Sequence, residues 1–155
     1  MILLLLIGTL FFAGCPNHYQ KGMTYIEQGQ TDLAIQELRA ALQKEPNNPD
    51  IYYQLGQLYF RQEAYRDAQE MFQAVVDRFS TYANRDGALY YLGLCHFQFR
   101  EYAPAMKALA EVGAAFPASQ FGESAQLYYA ESAWYSEDFG KATGYYQELL
   151  RRFPT

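Results

Sequence analysis

An all-α solenoid of four helix-turn-helix units, preceded by a signal peptide, is the fold that three observations predict. The stretches beginning "QKGMTYIEQG", "QLGQLYFRQE", "YLGLCHFQFR" and "YYAESAWYSE" align without gaps. Two series of small residues, Gly22, Gly56, Gly93, Ala130 and Ala34, Ala68, Ala105, Ala142, recur at the same intervals of 34, 37 and 37 residues. Apolar residues within each stretch fall three and four apart, the spacing that gathers them on one face of a helix.

The first fourteen residues, "MILLLLIGTLFFAG", hold no charged side chain, and their apolar run Ile2–Ala13 is too short to cross a bilayer as a helix. It has the length of a secretory signal core, with small residues closing it at Ala13-Gly14. Residues 1–14 are therefore read as a signal peptide, with Cys15 directly behind.

Unit one covers residues 15–48. Its first helix starts near Asn17 or His18 and carries Gly22 and Tyr25; its second carries Ala34 and Leu38, and Pro46 stops it. Unit two, 49–85, repeats the pattern with Gly56, Tyr59, Ala68, Phe72 and Ser80. Unit three, 86–122, uses Gly93, His96, Ala105, Leu109 and Pro117. Unit four, 123–155, uses Ala130, Ala133, Ala142, Tyr146 and Pro154. A Gly or Ala in mid-helix lets a neighbouring helix approach closely. A proline cannot extend a helix and biases the preceding residue away from helix. One helix pair cannot bury its own apolar faces, so neighbouring pairs must stack. The three extra residues of the later repeats fall in the linkers "FSTYANRDGA" and "FPASQFGESA".

Composition narrows the function classes. Net charge is −5 and no basic block occurs, which argues against nucleic acid and against electrostatic binding to anionic lipid. Two cysteines supply neither a disulfide framework nor a zinc site, so no metal or cofactor is expected. His18 and His96 are far apart in sequence and without metal-spaced companions, so both read as packing residues. Cys95 reads as a small buried hydrophobe rather than a reactive thiol. Glu137 and Asp138 read as solvated turn residues. No phosphate loop, nucleophile elbow or HExxH occurs, so no catalytic residue is assigned and the chain is read as not an enzyme. Aromatic residues make up 17 % of the chain, including 15 Tyr and one Trp. Tyrosine joins an apolar ring to a polar tip and suits half-buried contacts or a wet groove.

Two resemblances rest on these residues. The repeat resembles the tetratricopeptide repeat, or TPR. It implies a right-handed superhelix whose first helices line a concave groove that holds a protein or peptide partner. By this resemblance the groove side chains include Tyr53, Phe60, Tyr90, Phe97, Trp134 and Tyr135, an aromatic and nearly uncharged set. The Lys and Asn of chaperone-type carboxylate clamps are missing from the groove positions, so such a clamp is rejected.

"FAGC" resembles the lipobox of bacterial lipoprotein precursors, with Phe12 standing where that family usually has Leu. The resemblance implies acylation of Cys15 and cleavage before it. The first helix would then lie on the order of 10 Å from the anchor, at the maximum reach of the intervening residues. The long linkers resemble those of envelope proteins related to the Tol-Pal coordinator and to the TPR lipoprotein of the outer-membrane β-barrel assembly machinery. A periplasm-facing, lipid-anchored scaffold is thereby implied, on the outer membrane in preference to the inner. Outer-membrane protein assembly, pilus biogenesis and Tol-Pal-type cell-division work fit this pattern. So does the TPR region of a larger envelope enzyme.

Overall fold

The computed structural model describes residues 17–152. The expected signal segment 1–14, the expected acylation at Cys15 and the expected stop at Pro154 lie outside them. Eight helices follow in order: α1 His18–Glu27, α2 Thr31–Lys44, α3 Pro49–Arg61, α4 Tyr65–Arg78, α5 Arg85–Gln98, α6 Tyr102–Ala115, α7 Gly122–Tyr135 and α8 Phe139–Arg152. Each helix packs on the next, and α3 also touches α5 as α5 touches α7. The first helices of units two to four therefore form a row.

The small-residue series explains the pairing inside each unit. A Cβ added to Gly22 would lie 2.7 Å from Leu38, one on Gly56 2.8 Å from Phe72, and one on Gly93 2.6 Å from Leu109. These partners are the larger apolar residues of the second helices, and all three are essentially inaccessible. A side chain at these glycines would require the partner side chain or the helix pair to shift.

Every first helix ends in the same way. The N–H groups of Gln30, Ala64, Glu101 and Asp138 donate to the carbonyls of Tyr25, Tyr59, His96 and Ala133, five residues back. The residue before each donor has positive φ: Gly29 at 72°, Glu63 at 59°, Arg100 at 58° and Glu137 at 63°. This left-handed C-terminal motif satisfies carbonyls that the helix leaves free and turns the chain back on itself. Glycine occupies it once, and three ordinary side chains occupy it elsewhere.

The longer linkers resolve into two successive turns. Tyr82 N–H donates to Phe79 O and Arg85 N–H to Tyr82 O; Ser119 and Gly122 repeat this with Phe116 and Ser119. The first linker has one such turn, Asn48 to Glu45, before α3 begins. The added turns bring aromatic residues over the following seam. Tyr82 lies against Tyr53 with ring centroids 5.9 Å apart, and Phe121 stacks on Tyr90 at 5.0 Å.

The seams between units follow one rule. Ile51, Leu55 and Leu58 of α3 are buried against Ala34, Leu38 and Ala41 of α2. Ala88, Leu92 and Cys95 of α5 take the same positions against α4, in a core shared with Ala68, Phe72 and Val75. In α7 the positions hold Ala125, Tyr129 and Ser132, and Ser132 donates its hydroxyl to Tyr128 O at 2.7 Å. In α1 they hold Asn17, Lys21 and Thr24, all polar. Asn17 instead caps α1, its side chain accepting from Gln20 N while Gln20 Oε1 accepts from Asn17 N.

Cys95, as read from sequence, is inaccessible, and burial pushes its thiol up to about 12. His18 lies 2.7 Å from Glu37, and His96 Nδ1 lies 2.6 Å from Glu101 Oε2. Both histidines thus tie helices together. Asp138 lies in the turn before α8 with an exposed side chain, as read from sequence. It accepts from Lys141 N at 3.2 Å and pairs with Lys141 Nζ at 2.6 Å, which lowers its carboxyl below the usual range.

Candidate functional site

The groove-lining residues read from the sequence divide into two groups. Tyr53 is only 6 % exposed, its ring held by Phe72 and Tyr82. Burial pushes its phenol up to about 12. It is a packing residue of the seam between units two and three, which corrects its reading as a groove contact. Tyr90, at the same position in unit three, is half-buried between Phe121 and Tyr128, and burial raises its phenol as well. Both were expected to face the groove. Each is covered by the next unit's linker and first helix. Leu127, the counterpart in unit four, remains 41 % exposed.

Phe60, Phe97, Trp134 and Tyr135 behave differently. They lie in the last turn of a first helix, where no following unit reaches them fully. Phe60 meets Tyr65 at 5.3 Å, Phe97 meets Tyr102 at 5.9 Å, and Trp134 meets Phe139 at 5.0 Å. The three pairs are all edge-to-face, the geometry that the ring quadrupoles favour. Each joins the last turn of a first helix to the first residue of the second. Sequence reading missed Tyr65, Tyr102 and Phe139, although they recur every 37 residues. Their regular interval was the available signal.

Further ring contacts link these pairs. From Phe60 a chain of rings runs through Tyr91, Tyr90, Tyr128 and Phe97 to Tyr135. Tyr135 also stacks on Tyr102 at 5.6 Å and 17°. Accessibility rises along this edge. Phe60 and Phe97 are half-buried, while Trp134 and Tyr135 are 52 % and 58 % exposed. The result is a rigid apolar strip with polar tips, able to bind a partner at small conformational cost.

A furrow of about 780 Å³ opens on a different face of α5, between α4 and α6. Two of its charged groups are paired within the molecule, Arg85 with Glu111 at 2.8 Å and His96 with Glu101, while the buried Arg85 Nε makes no hydrogen bond among the described residues. Among the described residues no group of three or more His, Cys, Asp or Glu is arranged to hold a metal ion, and no helix is long and apolar enough to cross a membrane.

Comparison with known proteins agrees with this architecture. A family model described as TPR repeat matches residues 22–63, and one described as Tetratricopeptide repeat matches residues 53–119. Human mitochondrial import receptor subunit TOM70 is 27 % identical over 135 residues, which cover 84 % of this chain and 22 % of that protein. The chain thus spans about a fifth of that relative's length. MamA of Desulfovibrio magneticus RS-1 superposes with a TM-score of 0.77 at 21 % identity, covering 88 % of this chain and 74 % of MamA. Pseudomonas aeruginosa PilF gives 0.73 at 20 % identity, covering 89 % and 60 %. YrrB, described as a TPR protein with an unusual peptide-binding site, gives 0.77 at 21 % identity, covering 88 % and 68 %. At these identities the likeness to the solved structures is one of fold.

Proposed function

This chain belongs to the tetratricopeptide-repeat family, and from that premise we propose that it is a lipid-anchored, non-enzymatic interaction scaffold of the bacterial envelope. The observation that carries the interaction role is the aromatic strip from Phe60 to Tyr135. Packed rings with polar hydroxyls suit an extended segment or a helix of another protein. The strip is nearly uncharged, so contact area and shape decide the partner more than long-range attraction does.

The envelope placement rests on the sequence. "FAGC" at residues 12–15 supplies the thiol for acylation. One acyl chain holds weakly and two or more hold stably, so a fully processed lipoprotein stays on its membrane. The groove would then work close to the bilayer surface, on the periplasmic side. Assembly of outer-membrane proteins is the task we favour for it, since partners there become accessible at that surface.

Two experiments test the halves separately. A photo-crosslinker at Phe60 or Phe97 in living cells should capture one discrete partner, and capture should fail with the crosslinker at an exposed site off the strip, such as Gln43. Equal capture at both sites would remove the groove reading. Radioactive palmitate should label the wild type and not Cys15→Ser. Equal labelling of both chains, or of neither, would remove the anchor and leave the groove untouched.

A further inference from the structure

Unit four differs from the others at one groove position. One residue after the conserved-spacing small residue, units one to three carry Met23, Gln57 and Leu94, and unit four carries Glu131. Glu131 lines a cavity of about 370 Å³ with Trp134, Tyr135 and Tyr146. Three aromatic rings and one carboxylate thus form an open cup between α7 and α8.

The carboxylate is not answered from within. Glu131 is half-buried and makes no hydrogen bond or ion pair among the described residues, and burial alone raises its carboxyl above the usual range. The cations of α8 are engaged elsewhere: Lys141 with Asp138 at 2.6 Å, Arg151 with Glu148 at 2.7 Å, and Arg152 4.0 Å from the same Glu148. A partly desolvated anion beside ring faces is costly unless a cation joins it. The same grouping, with its cation present, occurs in this chain. The Arg66 guanidinium lies 4.1 Å above the Phe99 ring and 4.0 Å from Glu101. Arg78, which has no carboxylate partner among the described residues, also lies 5.1 Å from both the Tyr52 and Phe79 rings, so guanidinium on ring faces recurs in this chain.

We propose that the Glu131–Trp134–Tyr135–Tyr146 cup receives an arginine side chain of the partner polypeptide. The guanidinium plane suits a ring face, and its donor fork suits a carboxylate. This deepens the groove reading and rests on it: the strip supplies area, and the cup fixes where along the strip the partner sits.

Trp134 is the single tryptophan of the sequence, so its emission reports on the cup alone. The full chain in a mild non-ionic detergent is titrated with acetyl-Ala-Ala-Arg-Ala-Ala-amide and with the neutral citrulline counterpart. The arginine peptide should give a saturable change that weakens at high salt. The citrulline peptide, and Glu131→Gln with the arginine peptide, should each bind about tenfold more weakly, the loss of one charge-assisted pair. Glu131→Asp keeps the charge and should retain most of the affinity, while helical circular dichroism shows each variant folded. No saturable change, equal binding of citrulline, or undiminished binding by Glu131→Gln would overturn the proposal. Normal capture of a partner at Phe97 by the Glu131→Gln chain would sink the cup alone and leave the groove standing.

Discussion

Unit one and unit four share a backbone pattern and carry opposite surfaces. At the seam positions α1 has Asn17, Lys21 and Thr24, where α3 has Ile51, Leu55 and Leu58. On the other side of the array, α7 and α8 expose Leu127, Phe139 and Leu150. Positions that units one to three close completely, those of Phe72 and Val75 in unit two, hold the half-buried Tyr146 and Leu149 in unit four. In units one to three the first helix of the next unit closes these positions, and among the described residues α8 packs mainly on α7. The aromatic strip follows the same gradient, half-buried at Phe60 and open at Trp134.

The most damaging way to break this comparison is to give an inner seam the surface of α1. Leu92→Lys puts into α5 the residue found at the same position in α1, but at a site only 4 % exposed. Burying that ammonium should cost on the order of 4 kcal/mol and separate the array at that seam. Urea denaturation should then show an early transition or a single one at much lower midpoint. A second test uses equivalent positions. Phe72→Ala should lose about 3–5 kcal/mol, as expected for a large closed aromatic. Tyr146→Ala should lose only about 1 kcal/mol, because much of its surface is already wet. Equal losses would contradict the division between closed and open positions.

A smaller effect sharpens the likeness rather than the difference. Glu63, Arg100 and Glu137 adopt the left-handed conformation that Gly29 adopts freely. Replacing each by glycine should raise stability by up to about 1 kcal/mol per site, measured by thermal unfolding. Similar gains at all three would show that the turns are equivalent from the second unit to the fourth.

The smallest expected effect is electrostatic. The hydrogen bond from His96 holds the Glu101 carboxyl below its ordinary value of 4.5. A lowered carboxylate stabilises the fold fully above that ordinary range, and the gain fades as pH falls through the lowered value. Glu101 is 38 % exposed, so solvent screening leaves about a few tenths of a kcal/mol. Glu101→Gln should flatten the acid limb of the stability profile slightly and leave neutral stability within that margin.

Much of this was legible in the residues. The two small-residue series marked the helix contacts, since Gly22, Gly56 and Gly93 meet Leu38, Phe72 and Leu109, the apolar series that follows them. Phe60, Phe97, Trp134 and Tyr135 came from the resemblance to the tetratricopeptide repeat, and ring contacts join the first, second and last of them along one edge. Tyr53 could not be read correctly. Its closure depends on Tyr82, carried over it by a second turn in the linker, and turn conformation there has no glycine or proline to announce it. The left-handed positions were hidden for the same reason, since only Gly29 signals its own conformation. The cup at Glu131 needed a carboxylate and three rings from two helices to be seen together.

Arg78 has a consequence for how the array yields under tension. Its guanidinium donates to Pro46 O, to Asn47 Oδ1 and to the Tyr52 hydroxyl, clasping the loop that precedes its own unit. In α8 the Arg151 guanidinium grips its neighbour Glu148. Drawn out in an optical trap, the molecule should lengthen in discrete steps, with the stretch around Arg78 among the last to let go.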